Sequence, residues 1–305
     1  MELKQLRFFL AVAETLNFTR AAERVGIAQP PLSQRIRALE RELGAELFKR
    51  TKRSVALTKA GEALLIHARR MMNASENATS QVRSVRDGQL GVLQVGAIFS
   101  AIYNWMPATL RILSTTSPGI EVNLREMTIP NQLRALREGE IDIGLLRPPV
   151  GDKSLVAELL HRERFVAAVP ASHPVARQSV VERDDFVANP FIGISPAFSR
   201  NYSIVAASAF ASVRDDLKVA HETLDMHTLL AYVAAGRGLA LVPESFTFLT
   251  LPDVVFRPIG FEAPSIPISL AWRQDSHTPI VAEFAAAARQ AVRDALERVS
   301  PLPNA

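Results

Sequence analysis

Gln34, Arg37 and Arg41 lie on one side of a stretch whose other side is Leu32, Ile36, Leu39 and Leu43, spaced 4, 3 and 4. That is the period of an amphipathic helix. Pro30 shares the polar side and Ser33 flanks it. A glutamine amide can hydrogen-bond a base edge, and an arginine can reach phosphate or guanine. Shortly after, Phe48-Lys49-Arg50-Thr51-Lys52-Arg53 carries four cations in six residues, a density suited to phosphates or a minor groove. Val55 and Leu57 then alternate as in a short strand, so the run reads as a hairpin with a cationic tip. Alone, each feature also fits a solvated polar face. Their succession points to nucleic acid.

A second set of polar residues follows strand-like runs. Phe99-Ser100 comes after Val92–Ala97, Thr128 after Ile120–Leu124, Arg147 after Ile141–Leu146, and Ser195, Pro196 and Phe198 after residues 191–194. Open α/β sheets bind ligands at the C-terminal ends of their strands. A helix N-terminus there favours an anion, and Arg147 can pair with a carboxylate. The alternatives are helix caps for Ser100 and Thr128, a surface ion pair for Arg147 and a core position for Phe198. Catalytic constellations are missing from the sequence. His221 and His227 are separated by five residues, not the i,i+4 spacing of a helical metal pair, and His173 precedes Pro174. There is no Gly-x-Ser-x-Gly, phosphate loop or dinucleotide fingerprint. Zero cysteines exclude disulfides, iron–sulfur clusters and cysteine-zinc sites. The expectation is a non-enzyme without metal or cofactor.

The elements that must position these residues are legible. Leu3, Leu6, Phe9, Leu10, Ala13 and Leu16 give a first helix. Thr19 can cap a short second helix through Val25, and Gly26 permits a tight turn. Gln29-Pro30-Pro31 opens the third helix. Two short helices crossing at a glycine fit a helix-turn-helix, with a plain three-helix bundle as the alternative. The hairpin makes it a winged one. Residues 58–87 read as one long helix capped by Thr58. Its seam is Leu64, Ala68, Met71, Ser75, Ala78, Val82 and Val85, which suits dimerisation or packing on its own chain. Gly88 and Gly91 make a hinge. Beyond it strands alternate with helices, an α/β body. One helix is expected over 101–116 and a last one over 279–299; further strands are expected near 165–169, 191–194, 217–220, 239–242 and 267–272.

The 305 residues suggest about two domains. Residues 1–90 hold 16 Lys+Arg and 9 Asp+Glu, a balance of +7, and the remainder hold 19 and 22, a balance of −3. A basic front on a mildly acidic body fits a nucleic-acid module joined to something else. No apolar run is long enough to cross a bilayer and the charged N-terminus lacks a signal-peptide core. The expectation is a soluble cytoplasmic protein with no membrane partner.

Residues 1–61 resemble the DNA-binding end of the LysR-type transcriptional regulators. The matching positions are Leu6-Arg7-Phe8-Phe9, Ala21-Ala22, Gln29-Pro30-Pro31-Leu32-Ser33, Ile36, Leu39-Glu40, Leu43-Gly44, Leu47-Phe48, Arg50 and Leu57-Thr58-Lys59-Ala60-Gly61. Gln-Pro-Pro-Leu-Ser is especially similar to members governing aromatic-compound and chlorocatechol degradation. The resemblance implies DNA contacts at Gln29, Pro30, Ser33, Gln34 and Arg53. With the residue reading, the candidate DNA set is Gln29, Pro30, Pro31, Ser33, Gln34, Arg37, Arg50, Lys52 and Arg53. It implies a winged helix-turn-helix over 1–58, a linker and dimerisation helix with hinge over 59–90, and a regulatory domain over 91–305. That domain divides into two α/β subdomains similar to periplasmic binding proteins, 91–163 with 267–305, and 164–266. The resemblance further implies a small effector between them, expected to be an aromatic or dicarboxylic acid, against Ser100, Thr128, Arg147, Ser195, Pro196 and Phe198. Implied partners are double-stranded operator DNA, RNA polymerase, and a homodimer assembling to a homotetramer. The competing readings are a solute-binding protein, an enzyme on the same body, and an effector-insensitive DNA binder.

Overall fold

The structure is a computed structural model that describes residues 1–51, 54–86, 91–197, 200–276 and 278–298. Three helices open the chain: α1 (Leu3–Thr15), α2 (Phe18–Val25) and α3 (Gln29–Leu43). The cap of α2 is Asn17, not Thr19; its side-chain oxygen accepts from the Thr19 and Arg20 amides at 2.9 and 3.1 Å. Gly26 ends α2 at φ 73°, the left-handed conformation glycine adopts freely. Leu32, Ile36 and Leu39 of α3 are buried, whereas Leu43, expected to continue their stripe, is 41% exposed because the helix stops at Gly44. Strands β1 (Phe48–Arg50) and β2 (Val55–Leu57) pair antiparallel as the wing. Phe48 inserts between Phe9 and Phe18, with ring centroids 5.4 and 5.9 Å away.

Helix α4 (Lys59–Arg86) follows, its first turn capped by Thr58, whose hydroxyl accepts from the Gly61 amide at 3.0 Å. The expected seam divides. Ala68 is buried in the core of the head and Leu64 packs against it, so these positions serve their own chain. Met71, Ala78 and Val82 are exposed. The Val85 side chain and the Gly88 hinge lie outside the described residues.

The body begins with β3 (Gly91–Ala97), α5 (Phe99–Asn104) and α6 (Met106–Thr116). The single helix expected over 101–116 is two: Pro107, in the first turn of α6, has no amide with which to continue a helix from α5. Next come β4 (Ile120–Glu126), α7 (Ile129–Glu138), β5 (Ile143–Leu146), β6 (Leu155–Glu163) and β7 (Phe165–Pro170). Then α8 (Arg183–Ala188), β8 (Phe191–Ile194), α9 (Arg200–Ser208), β9 (Val219–Thr223), α10 (Met226–Ala234), β10 (Ala240–Pro243) and β11 (Val254–Pro258) lead to β12 (Ile266–Arg273) and α11 (Pro279–Arg298). Strands β6 and β11 were not expected; β6 is the edge strand of its sheet, half-exposed and without clean alternation.

Two lobes result. The first is the five-stranded sheet β4-β3-β5-β12-β6, with β3 parallel to β4 and β5, and β12 antiparallel to β5 and β6. The second holds the antiparallel sheet β10-β7-β11 and the parallel pair β8-β9. The chain passes to the second lobe between Glu163 and Phe165 and returns between Pro258 and Ile266. Each lobe has its own apolar core. Among the described residues no helix is long and apolar enough to cross a membrane.

Candidate DNA interface and ligand cleft

The α2–Gly26–α3 unit is a helix-turn-helix. Ala21 and Ala22 are buried at its crossing, where small side chains let the helices approach closely. Burying Leu32, Ile36 and Leu39 fixes the rotation of α3 and turns Gln29, Pro30, Pro31, Gln34, Arg37 and Arg41 to solvent, with Ser33 half-buried beside them. Glu40 ties this helix to the wing. Its Oε1 accepts from the Leu47 and Phe48 amides at 3.0 and 3.3 Å, and its Oε2 from Arg50 Nη2 at 2.6 Å. The Arg50 guanidinium also lies 4.7 Å from the Phe18 ring centroid. One Arg50 donor, Nη2, thus braces the wing against the head, an engagement that the sequence did not show. Lys52 and Arg53, at the expected wing tip, lie outside the described residues.

Between the lobes lies a cavity of about 90 Å³. From the first lobe Ser100, Thr128 and Arg147 reach it, as expected. Ser195 and Pro196 are not in its described lining, and the Ser195 hydroxyl accepts from the Ala197 amide at 3.3 Å, holding its own loop. Phe198 lies outside the described residues. The second lobe contributes residues that sequence reasoning missed, among them Tyr202, Asp225, His227 and Phe246. The packing of the second lobe against the first brings them opposite Ser100. Phe99 bridges the lobes, its ring 4.0 Å from His227 and 5.7 Å from Phe246 between centroids.

The electrostatics of the cleft are specific. Arg147 is buried and donates through Nη2 to Glu163 Oε2 at 2.5 Å and to Ser100 Oγ at 3.3 Å. Its Nη2 is thus engaged within the protein by a glutamate and a hydroxyl, contacts that the sequence did not show. Its Nη1 is buried without a hydrogen-bond partner among the described residues. Thr128 stands at the N-cap of α7 but its side chain caps nothing. Asp225 caps α10 through the Thr228 amide at 2.7 Å, and that bond holds its carboxyl below the usual range. Burial pushes the Tyr202 hydroxyl well above its ordinary value, so it stays protonated and donates to Leu241 O at 2.8 Å. Among the described residues no cluster of His, Cys, Asp and Glu could hold a metal.

A winged helix-turn-helix, a long helix and a two-lobed α/β body with a cavity between its lobes define a DNA-binding transcriptional regulator with an effector-binding domain. The bacterial regulatory helix-turn-helix protein, lysR family, matches residues 3–62, and the LysR substrate binding domain matches residues 86–293. The chain belongs to the LysR family, whose members are transcriptional regulators and not enzymes. It is 34% identical to the HTH-type transcriptional regulator AlsR of Bacillus subtilis (strain 168), over 93% of this chain and 94% of the relative. It is 33% identical to the Hca operon transcriptional activator HcaR of Escherichia coli (strain K12), over 94% of this chain and 96% of the relative. Full-length CbnR complexed with its target DNA superposes with a TM-score of 0.74 at 29% identity, covering 95% of this chain and 100% of that one.

Proposed function

We propose that this regulator binds a two-part operator through α3 and the wing of paired subunits, and that a small carboxylate in the interlobe cavity changes how it holds that DNA. The reading takes residues 1–58 as the DNA-binding domain, 59–90 as linker and hinge, and the lobes as 91–163 with 267–305, and 164–266. Gln29, Pro30, Pro31, Ser33, Gln34 and Arg37 face the DNA, with Arg50, Lys52 and Arg53 from the wing. Subunits pair to a homodimer and then a homotetramer, act in the cytoplasm, and activate by contact with RNA polymerase.

The observation that carries the carboxylate is the N-terminus of α7, without a side-chain cap, at a cavity that Arg147 also lines, its Nη1 without a hydrogen-bond partner among the described residues. Free helix N–H groups and a spare guanidinium donor suit an acid. The apolar walls, Phe99, Met127, Ile129 and Phe246, suit an aromatic or hydrocarbon body. Footprinting on the DNA upstream of the protein's own gene, with and without a panel of aromatic and dicarboxylic acids, tests both halves. A two-part protection that shortens or shifts with one acid is expected. In Ser100→Val that response is lost while basal protection remains. An effector-insensitive footprint supports a constitutive DNA binder, and ligand binding without protection at low salt supports a solute-binding protein.

A further inference from the structure

Helix α7 joins two distant places. Its N-terminal end carries Thr128 and Ile129 into the lining of the interlobe cavity. Its C-terminal end, about 15 Å away at 1.5 Å per residue, is held by α4. Arg69 pairs with the Glu138 carboxylate, which is only 6% exposed and also meets Arg134. Arg70 Nε donates to the Arg137 carbonyl, and Asn73 Nδ2 donates to the Glu138 carbonyl at 2.7 Å. These carbonyls belong to the last turn of α7, which has no acceptor-satisfying partners within the helix and favours cations. Behind them Arg273 Nη1 donates to Leu136 O at 3.0 Å.

The same stretch of α4 is fused to the head. Ala68 is buried in the head's core, with Leu64, Leu65 and Met72 packed against it. Arg69 also faces Glu14 of α1 at 3.9 Å, and Glu14 pairs with Arg24 of α2 at 2.7 Å. One arginine thus stands between a carboxylate of the DNA-binding head and a carboxylate of the body. At its cavity end α7 is clamped by Gln132, fully buried, whose Nε2 donates to Met127 O at 3.0 Å and Leu145 O at 3.2 Å.

We propose that α7 is a rigid rod coupling the cavity to the head, and that Arg69, Arg70 and Asn73 form the latch at its far end that sets the angle between head and body. A ligand seated against Thr128 and Ile129 displaces the rod and exchanges the latched arrangement for a second one. This deepens the cleft reading above and rests on it. The coupling exists only to the extent that cavity occupancy favours one arrangement over the other.

The chain has no cysteine, so spin labels on Glu76→Cys in α4, off the seam, and Asn123→Cys in β4, both exposed, report head–body geometry without background. The full-length labelled protein is mixed with a large excess of unlabelled protein, so that the measured distances lie within one subunit. With the latch intact one short distance dominates; Arg69→Ala adds a second, longer one, and Arg69→Lys keeps the first. Ile129→Trp, which fills the cavity end, shifts the ratio of the two populations by about fivefold or more, and the shift disappears when Arg69→Ala is added. Ile129→Phe replaces it if the larger side chain prevents folding. The proposal is overturned if Arg69→Ala keeps the single short distance, or if filling the cavity leaves the ratio unchanged or moves it equally with and without Arg69. Because no effector is added, a failed latch leaves the cleft reading standing, and an acid panel that elicits no footprint change strikes that reading alone.

Discussion

Gln34 and Arg37 are exposed on the helix that a glycine turn and three buried side chains orient. A glutamine reads a base by paired hydrogen bonds, so Gln34→Ala is expected to relax base preference at one operator position by about 1–3 kcal/mol. Competition binding against operators substituted one base pair at a time measures this. A loss equal for every sequence would instead mark Gln34 as a backbone contact. In the body, Asp142 accepts from the Gln94 amide at 2.9 Å, and burial nevertheless raises its carboxyl above the usual value. A carboxyl raised in the folded state binds protons more tightly there than in the unfolded chain, so it favours folding at low pH. That contribution is lost as pH rises from about 3.9 through the raised value. Asp142→Asn is therefore expected to raise the melting temperature at neutral pH, with the gain shrinking toward pH 4 in thermal unfolding followed by circular dichroism. Arg50 and Arg147 share a lesson at this scale. Both are arginines of the expected type in the expected place, and both are engaged by a buried or half-buried glutamate on another element, Glu40 and Glu163.

Among the elements, the wing and α4 meet at Gly61. A Cβ there would collide with the Leu47 carbonyl and come within 2.9 Å of a Leu57 methyl. Because backbone cannot yield cheaply, Gly61→Ala is expected to cost about 1–3 kcal/mol, read as a lower denaturation midpoint of the head. The start of α4, the turn after β2 and the packing of α3 as far as Leu39 were legible, since capping residues, glycine and a 3.6-residue period are local signals. Strand β6 was not. Its inward and outward residues do not alternate, and its pairing with β12 joins residues about a hundred positions apart. The break between α5 and α6 was legible in principle, because Pro107 marks it.

For the whole molecule, the exposed half of the α4 seam is where subunits would meet. Val82 is 71% exposed and Met71 41%, while Leu64 and Ala68 are consumed by the head. Paired α4 helices would bury Met71, Ala78 and Val82, so Val82→Asp is expected to shift the protein toward monomer in sedimentation velocity. Operator affinity should fall with it, because each half-site would then be held singly. An unchanged oligomer would place the subunit contact elsewhere on the chain.

The sequence by itself determined the DNA-binding head, the long helix and the α/β character of the body. These rest on hydrophobic period, caps and turns that act within a few residues, and on a charge asymmetry that needs no fold to be counted. It also placed Ser100, Thr128 and Arg147 at strand ends. Tertiary structure decided what surrounds them: Glu163 on Arg147, Phe99 against His227 and Phe246, and Arg69 on Glu138. The first joins two strand ends of one lobe, and the other two close long loops between lobes or between head and body. Which side chains meet there is set by packing the two lobes and α4 together, and no short-range pattern records it.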